Sequence, residues 1–198
     1  MKDLEQKNKE FFNKIAGYYD KSIFKNLLFN PVKKAVEFVK VKKNLKILDA
    51  GCGTGNLLKI LEDKNANLKL YGVDISKEML KIARKKLKNV KIKLGAAEKL
   101  TFKKDYFDYI FSIDAFHHYY SHDLVMRNFY RILKKDGCLI IVDFSFGIFL
   151  NKIFSKIEPG NNEMHTALEF KELFKQYKFK DIRQNRLGIF TILTIGRK

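Results

Sequence analysis

The chain predicts an α/β fold: a seven-stranded, mostly parallel sheet with helices on both faces, preceded by a helical cap. Three observations predict it. From residue 45 onward, short apolar runs of strand length alternate with longer stretches whose apolar residues recur at helical spacing. These strand and helix units follow one another without a linker, as a parallel sheet with crossover helices requires. The C-terminal third then breaks the rhythm with two β-rich runs joined by a short connection, the pattern of an antiparallel hairpin at a sheet edge.

The cap comes first. Residues 1–44 read as two helical pieces broken near 17–22. The first carries Leu4, Phe11, Phe12 and Ile15, and the second Leu27, Phe29, Val32, Val36 and Val39. LKILDA at 45–50 is the first strand, and GNLLKILEDK at 55–64 a helix burying Leu57, Leu58, Ile60 and Leu61. LKLYGVD at 68–74 is the second strand. Ser76 caps the next helix, whose buried face is Met79, Leu80, Ala83 and Leu87. VKIKLG at 90–95 and YFDYIFSID at 106–114 are the third and fourth strands, with residues 97–102 in a loop between them. A helix over 122–134, a KKDG turn and the strand CLIIVDF at 138–144 follow. Residues 144–157 place Phe146, Phe149, Leu150, Ile153, Phe154 and Ile157 at helical spacing, with Lys152 and Lys156 interrupting. That pattern fits a lid over a greasy substrate, a membrane-surface helix or a helix packed on the sheet. A helix near 167–177 leads into the two runs of the edge hairpin, the last strand being antiparallel.

At 198 residues and 46% hydrophobic, the chain is one domain, divided into a cap (1–44), a core (45–144) and a segment behind it (145–198). A domain this size buries roughly 70% of its unfolded surface and needs no disulfide or structural metal. Cys52 and Cys138 form no CxxC and no Cys/His cluster, which argues against a zinc module and a disulfide scaffold and sets the expected metal sites at none. A reducing, cytoplasmic location is expected. The longest apolar run, 138–150, is interrupted by Asp143 and is shorter than the roughly 20 residues a span needs. The net charge of +18 would suit a nucleic acid or an anionic membrane surface. Only six of the 40 basic residues are arginine, the side chain that dominates phosphate recognition, so the expected reading is a solvated lysine surface.

The strongest local signal is Asp49-Ala-Gly51-Cys-Gly53-Thr-Gly55, directly after the first strand. Glycines there allow a tight turn with positive φ and let backbone N–H groups approach a ligand. The spacing is not the GxGxxG dinucleotide fingerprint, and the acid before the first glycine suits a ligand carrying an ammonium group. Asp74 ends the second strand 23 residues after Gly51, where an acid accepts from ribose hydroxyls. Asp49 also reads as a turn-forming Asx residue, Asp74 as an N-terminal helix charge, Met79 as core, and Cys52 as small packing in the loop.

ILDAGCGTGNL, YGVDISKEML, GAAEKLTF, FDYIFSIDAFHHY and RILKKDGCLIIVD, in this order, resemble the successive motifs of class I S-adenosylmethionine-dependent methyltransferases, whose fold is Rossmann-like. The similarity is greatest to the ubiquinone/menaquinone-biosynthesis type, which often begins with a phrase like FFNKIAGYYD at 11–20. The resemblance implies that Asp49, Gly51 and Gly53 surround the methionine part of S-adenosylmethionine, with Asp49 attracting its ammonium. It implies Asp74 on the ribose, Ile75 and Met79 packing on adenine or sugar, and Ala97 meeting the adenine edge through its N–H. Asp114 would line the methionine end and Tyr19 would cap the cofactor. Ala96 departs from the family, which commonly has an aspartate there, and Glu98 is the candidate to compensate.

Methyl transfer from a sulfonium needs alignment and desolvation, and a base only where the acceptor must lose a proton. His117, His118, His165, Tyr18 and Tyr19 are the candidates; His117 is the expected catalytic residue, and His118 reads as gate-lining. The expected function is methylation of a small, lipophilic molecule such as a quinol, at O, C or N. The alternatives are an RNA or protein methyltransferase, on the charge, and a cofactor-binding regulator, on Ala96.

Overall fold

The computed structural model describes residues 2–20, 24–40, 44–65, 67–146 and 163–198. α1 (Lys2–Tyr19) and α2 (Phe24–Glu37) form the cap. β1 (Lys46–Ala50), α3 (Asn56–Lys64), β2 (Lys69–Asp74), α4 (Lys77–Lys86), β3 (Val90–Leu94) and β4 (Phe107–Ile113) follow. α5 (His122–Ile132), β5 (Leu133–Phe144), α6 (Ala167–Gln176), β6 (Lys180–Arg186) and β7 (Thr191–Arg197) are the remaining α-helices and strands among the described residues.

All seven strands join one sheet in the order β3-β2-β1-β4-β5-β7-β6. β1 lies parallel between β2 and β4, and β5 is parallel to β4, whereas β7 runs antiparallel to both β5 and β6. Only residues 187–190 separate β6 from β7, and a parallel crossover takes a dozen or more. The expected edge hairpin and antiparallel last strand therefore form.

Alternation along the central strands serves two cores. Ile47, Phe111 and Ile140 pack with Val36, Leu58, Leu61 and Leu80 of α2, α3 and α4 on one face. Leu48, Ile110 and Leu139 pack with Met126, Phe129, Phe170 and Phe174 of α5 and α6 on the other. Each fully buried side chain of this size contributes about 1.5–3 kcal/mol of transfer free energy. Ser76 caps α4 as expected, its Oγ accepting from Met79 N at 3.1 Å.

One element differs from its sequence reading. Helix α5 stops at Ile132, and β5 begins at Leu133, five residues before the expected start. Leu133 is fully buried and sits opposite Phe107, and the next pairing is Tyr109 with Cys138. KKDG is thus a bulge inside the strand, with Asp136 at φ 63°. The side chains of Leu27 and Phe29, and residues 147–157 of the amphipathic stretch, lie outside the described residues.

The cap is fastened across the carboxyl ends of the parallel strands. Asn8 Nδ2 donates to His118 O at 2.7 Å, and Asn13 Oδ1 accepts from Ser76 Oγ at 2.8 Å and Glu78 N at 3.2 Å. This leaves a cavity between α1 and the sheet at the β1/β4 switch point, where open α/β sheets bind ligands.

Candidate active site

The loop after β1 is built by glycines in left-handed conformations, with φ 75° at Gly51, 49° at Gly53 and 80° at Gly55. An L side chain would cost roughly 1–2 kcal/mol at each. At Gly51 a Cβ would also lie 2.6 Å from Ala115 Cβ, whereas at Gly53 it would meet nothing within 4 Å. The loop is pinned from below by Val73 O, which accepts from Gly51 N at 2.8 Å and Cys52 N at 3.0 Å. Asp74 pins it from the side, its Oδ2 accepting from Gly53 N and its Oδ1 from Ser76 N, both at 2.8 Å. One carboxylate therefore ties the glycine loop to the start of α4.

Asp49 is different. It is 3% exposed and lines the cavity, yet among the described residues its carboxylate accepts no hydrogen bond. Burial, with the nearby Asp74 charge second, pushes its pKa up to about 8. Burial also raises Asp74, opposed by the N–H groups of Ser76, Gly53 and Ile75. A buried and a half-buried carboxylate facing one cavity favour a ligand that brings positive charge and hydrogen-bond donors.

The expected cofactor-side residues meet at this cavity: Tyr19, Asp49, Gly51, Gly53, Asp74, Ile75, Met79, Ala97 and Asp114 all line it. Met79 does so while 1% exposed, so its core and wall readings both describe it. Tyr19 OH donates to Asp114 Oδ2 at 3.3 Å, and its pKa is raised well above the ordinary value by burial and then by Asp114. Glu98 lines the cavity beside Ala96, but its Oε1 accepts from Tyr120 N at 2.8 Å, which partly commits it to the loop before α5. Tyr18 is 76% exposed, and His165 lies elsewhere, against Phe116 and Phe170. Cys52 is buried and burial raises its thiol pKa, which fits packing rather than nucleophilic chemistry.

The histidine pair divides differently from its sequence reading. His117 is 2% exposed, with Nδ1 at 2.5 Å from Asp143 Oδ1 and its backbone N donating to Asp143 Oδ2 at 3.0 Å. Burial pushes the Asp143 carboxyl up, but the charge and hydrogen bonds of His117 outweigh it and hold the pKa below the ordinary value. His118, not His117, is among the described residues that line the cavity, and its ring meets that of Phe12 edge-on at 4.9 Å. Of the pair it is thus His118 that faces the cavity, while His117 is held by the buried carboxylate at the end of β5.

A polar cluster not anticipated from the sequence closes the cap. Asp20 Oδ1 accepts from Thr54 Oγ1 at 2.8 Å and Asn56 Nδ2 at 3.0 Å, and Lys86 Nζ lies 2.8 Å from Asp20 Oδ2. Burial raises Asp20, but Lys86, Asn56 and Thr54 together hold its pKa below the usual carboxylate value. The signal was present in FFNKIAGYYD, which ends on this aspartate.

A parallel sheet with an inserted antiparallel last strand, a glycine loop at its switch point and acids ending β1 and β2 define the class I S-adenosylmethionine-dependent methyltransferase fold. The residues present fit that cofactor: Asp49, a buried carboxylate with no hydrogen-bond partner among the described residues, would suit its ammonium, and Gly53 leaves its approach open. Residues 41–187 match the family model described as a methyltransferase domain, and the chain belongs to this family. It is 36% identical over 190 residues to a Methanocaldococcus jannaschii protein described only as uncharacterized protein MJ1252, covering 96% of this chain and 66% of that one. It is 32% identical to a Campylobacter jejuni ubiquinone/menaquinone biosynthesis C-methyltransferase, covering 71% of this chain and 65% of that enzyme. The chain thus spans just under two-thirds of these relatives. A Haloferax volcanii chain solved in complex with the Trm112 methyltransferase activator shares the fold, with TM-score 0.85, 19% identity and 96% of both chains covered.

Proposed function

We propose that the protein transfers a methyl group from S-adenosylmethionine to a small, lipophilic acceptor. The observation that carries this reading is Asp49, a buried carboxylate without a hydrogen-bond partner among the described residues, beside a loop of three left-handed glycines. S-adenosylmethionine supplies a methyl already activated by the sulfonium charge. The chain's own work is to bind, align and exclude water. Asp49 holds the ammonium, and Gly51 and Gly53 let the backbone close on it. Asp74 offers its remaining lone pairs to ribose hydroxyls, Ile75 and Met79 form the apolar wall, and Ala97 presents its N–H to the adenine edge. Tyr19 and Asp114 close the methionine end.

The acceptor approaches from the side of Phe12, Val32, Ile113 and His118, which are mainly apolar and line the same cavity. For a phenol or an acidic carbon, His118 receives the proton. The quinone C-methyltransferase relatives support an acceptor of this kind. The lysine surface supports at most a visit to an anionic membrane, and the scarcity of arginine weighs against nucleic acid.

The test is transfer of labelled methyl from the cofactor into fractionated cell extract, with Asp49→Asn as the control. Label in the organic-soluble, low-mass fraction is expected. Label confined to RNA or protein would overturn the acceptor class, and no transfer to any fraction would overturn the activity.

A further inference from the structure

Beyond the cofactor cavity, the fold brings together three side chains able to ligate a metal, His122 from one part of the chain and Glu163 and His165 from another. His122 opens α5, is 8% exposed and stacks on Phe116 at 4.5 Å and 21°. Its Nε2 lies 2.9 Å from Phe116 O. A carbonyl only accepts, so Nε2 carries the proton and Nδ1 presents a lone pair. That Nδ1 lies 3.7 Å from Glu163 Oε2. His165 holds its ring 4.8 Å from that of His122, and its Nδ1 is buried with no hydrogen-bond partner among the described residues. One ligand atom from each of the three lies within 4.8 Å of the others.

Hydrogen bonding alone leaves this cluster unfinished, because a buried ring nitrogen without a partner is a standing cost. Its other features are those of a metal site. A histidine ligand ordinarily donates its far nitrogen to a carbonyl or carboxylate, as His122 does to Phe116.

We propose that His122, Glu163 and His165 bind a divalent cation of zinc type. Two imidazoles and a carboxylate are a donor set such ions accept, with a further position open to solvent on the side of the exposed Glu163. Bonds of about 2.0–2.1 Å place tetrahedral ligand atoms about 3.3 Å apart. The observed spacing closes to that by rotation of side chains, chiefly the surface glutamate. The ion would tie the start of α5 to the segment entering α6. It would also brace Phe116, the residue leading into His117 and His118 on the acceptor side.

The test uses the full chain, stripped with chelator and titrated with Zn²⁺ by calorimetry and with Co²⁺ by visible absorption. One ion per chain, cobalt bands of a four-coordinate nitrogen/oxygen site and a higher melting temperature are expected. His165→Ala should abolish the bands and the thermal shift, and Glu163→Gln should weaken binding. Should His165→Ala fail to fold, Glu163→Gln decides, since this side chain is exposed and its loss leaves the core intact. No saturable binding would overturn the proposal. So would binding unchanged in Glu163→Gln or retained in folded His165→Ala, which would put the ion elsewhere, for instance at Asp114, His117 and Asp143. S-adenosylmethionine affinity, measured in parallel, tests the proposed function separately.

Discussion

Replacing Asp49 by asparagine separates what this residue costs the fold from what it gives the ligand. In the folded protein its pKa stands near 8, against an ordinary 3.8. Between those values the folded chain keeps a proton that the unfolded chain has lost, so stability is fully present below about pH 4 and falls as pH rises towards 8. At 1.36 kcal/mol per unit, the 2.5 units from pH 5 to pH 7.5 correspond to roughly 3 kcal/mol. Asparagine cannot ionise, so the stability difference between variant and wild type should open by about that amount over this range. Chemical denaturation at a series of pH values reads it, and all other titrating groups are common to both proteins. S-adenosylmethionine bound in the proposed way should have the opposite effect, because its ammonium favours the ionised carboxylate. At pH 7 only about a tenth of Asp49 is ionised before binding, so binding should release close to one proton and tighten roughly tenfold by pH 9. Calorimetry in buffers of different ionisation enthalpy measures the release. Parallel stability curves for the two proteins, or undiminished cofactor affinity in Asp49→Asn, would refute the reasoning.

Further outcomes follow from the geometry. Gly51→Ala should lower the melting temperature and the cofactor affinity together, since it adds at least 1–2 kcal/mol of left-handed strain and a Cβ at 2.6 Å from Ala115. His117→Ala should cost about 3–5 kcal/mol in denaturant titration, because it leaves Asp143 buried without its imidazole partner, held only by the backbone N–H groups of residues 117 and 144, whereas His118→Ala should keep its stability and lose methyl transfer by roughly 10²-fold or more if it is the base. Lys86→Met should change global stability by less than about 1 kcal/mol, because the Asp20 pair is partly exposed, yet speed proteolysis within α1. The same release of the cap should occur in wild type at acid pH: the depressed Asp20 carboxyl supports the clamp above its ordinary pKa and loses it as pH falls through the folded value.

Much of the site was legible because its chemistry is local. Asp49 and the three glycines occupy seven consecutive residues, and Asp74 follows at the end of the next strand, so strand geometry alone carries them to one place. Ser76 was legible as a cap for the same reason. Other features depended on partners far along the chain. The histidine pair is the plainest case: His117 and His118 are adjacent and chemically identical, and what separates them is Asp143, which arrives from β5. The KKDG bulge is another, since Leu133 joins the sheet only because Phe107 waits opposite. Asp20 similarly becomes a clamp only once Lys86, Thr54 and Asn56 converge on it.

By itself, the sequence determined the sheet, the antiparallel last strand and the family of the chain, because periodicity, turn residues and short motifs act over a few residues. Only the tertiary structure decided which histidine meets the cavity, that Asp49 is left without a hydrogen-bond partner among the described residues, and that the cap is clamped. It also decided that His122, Glu163 and His165 share one place, although neither Cys nor His spacing hinted at a metal site. Each of these depends on long-range burial: what a polar group becomes is set by the partners and solvent that folding leaves it.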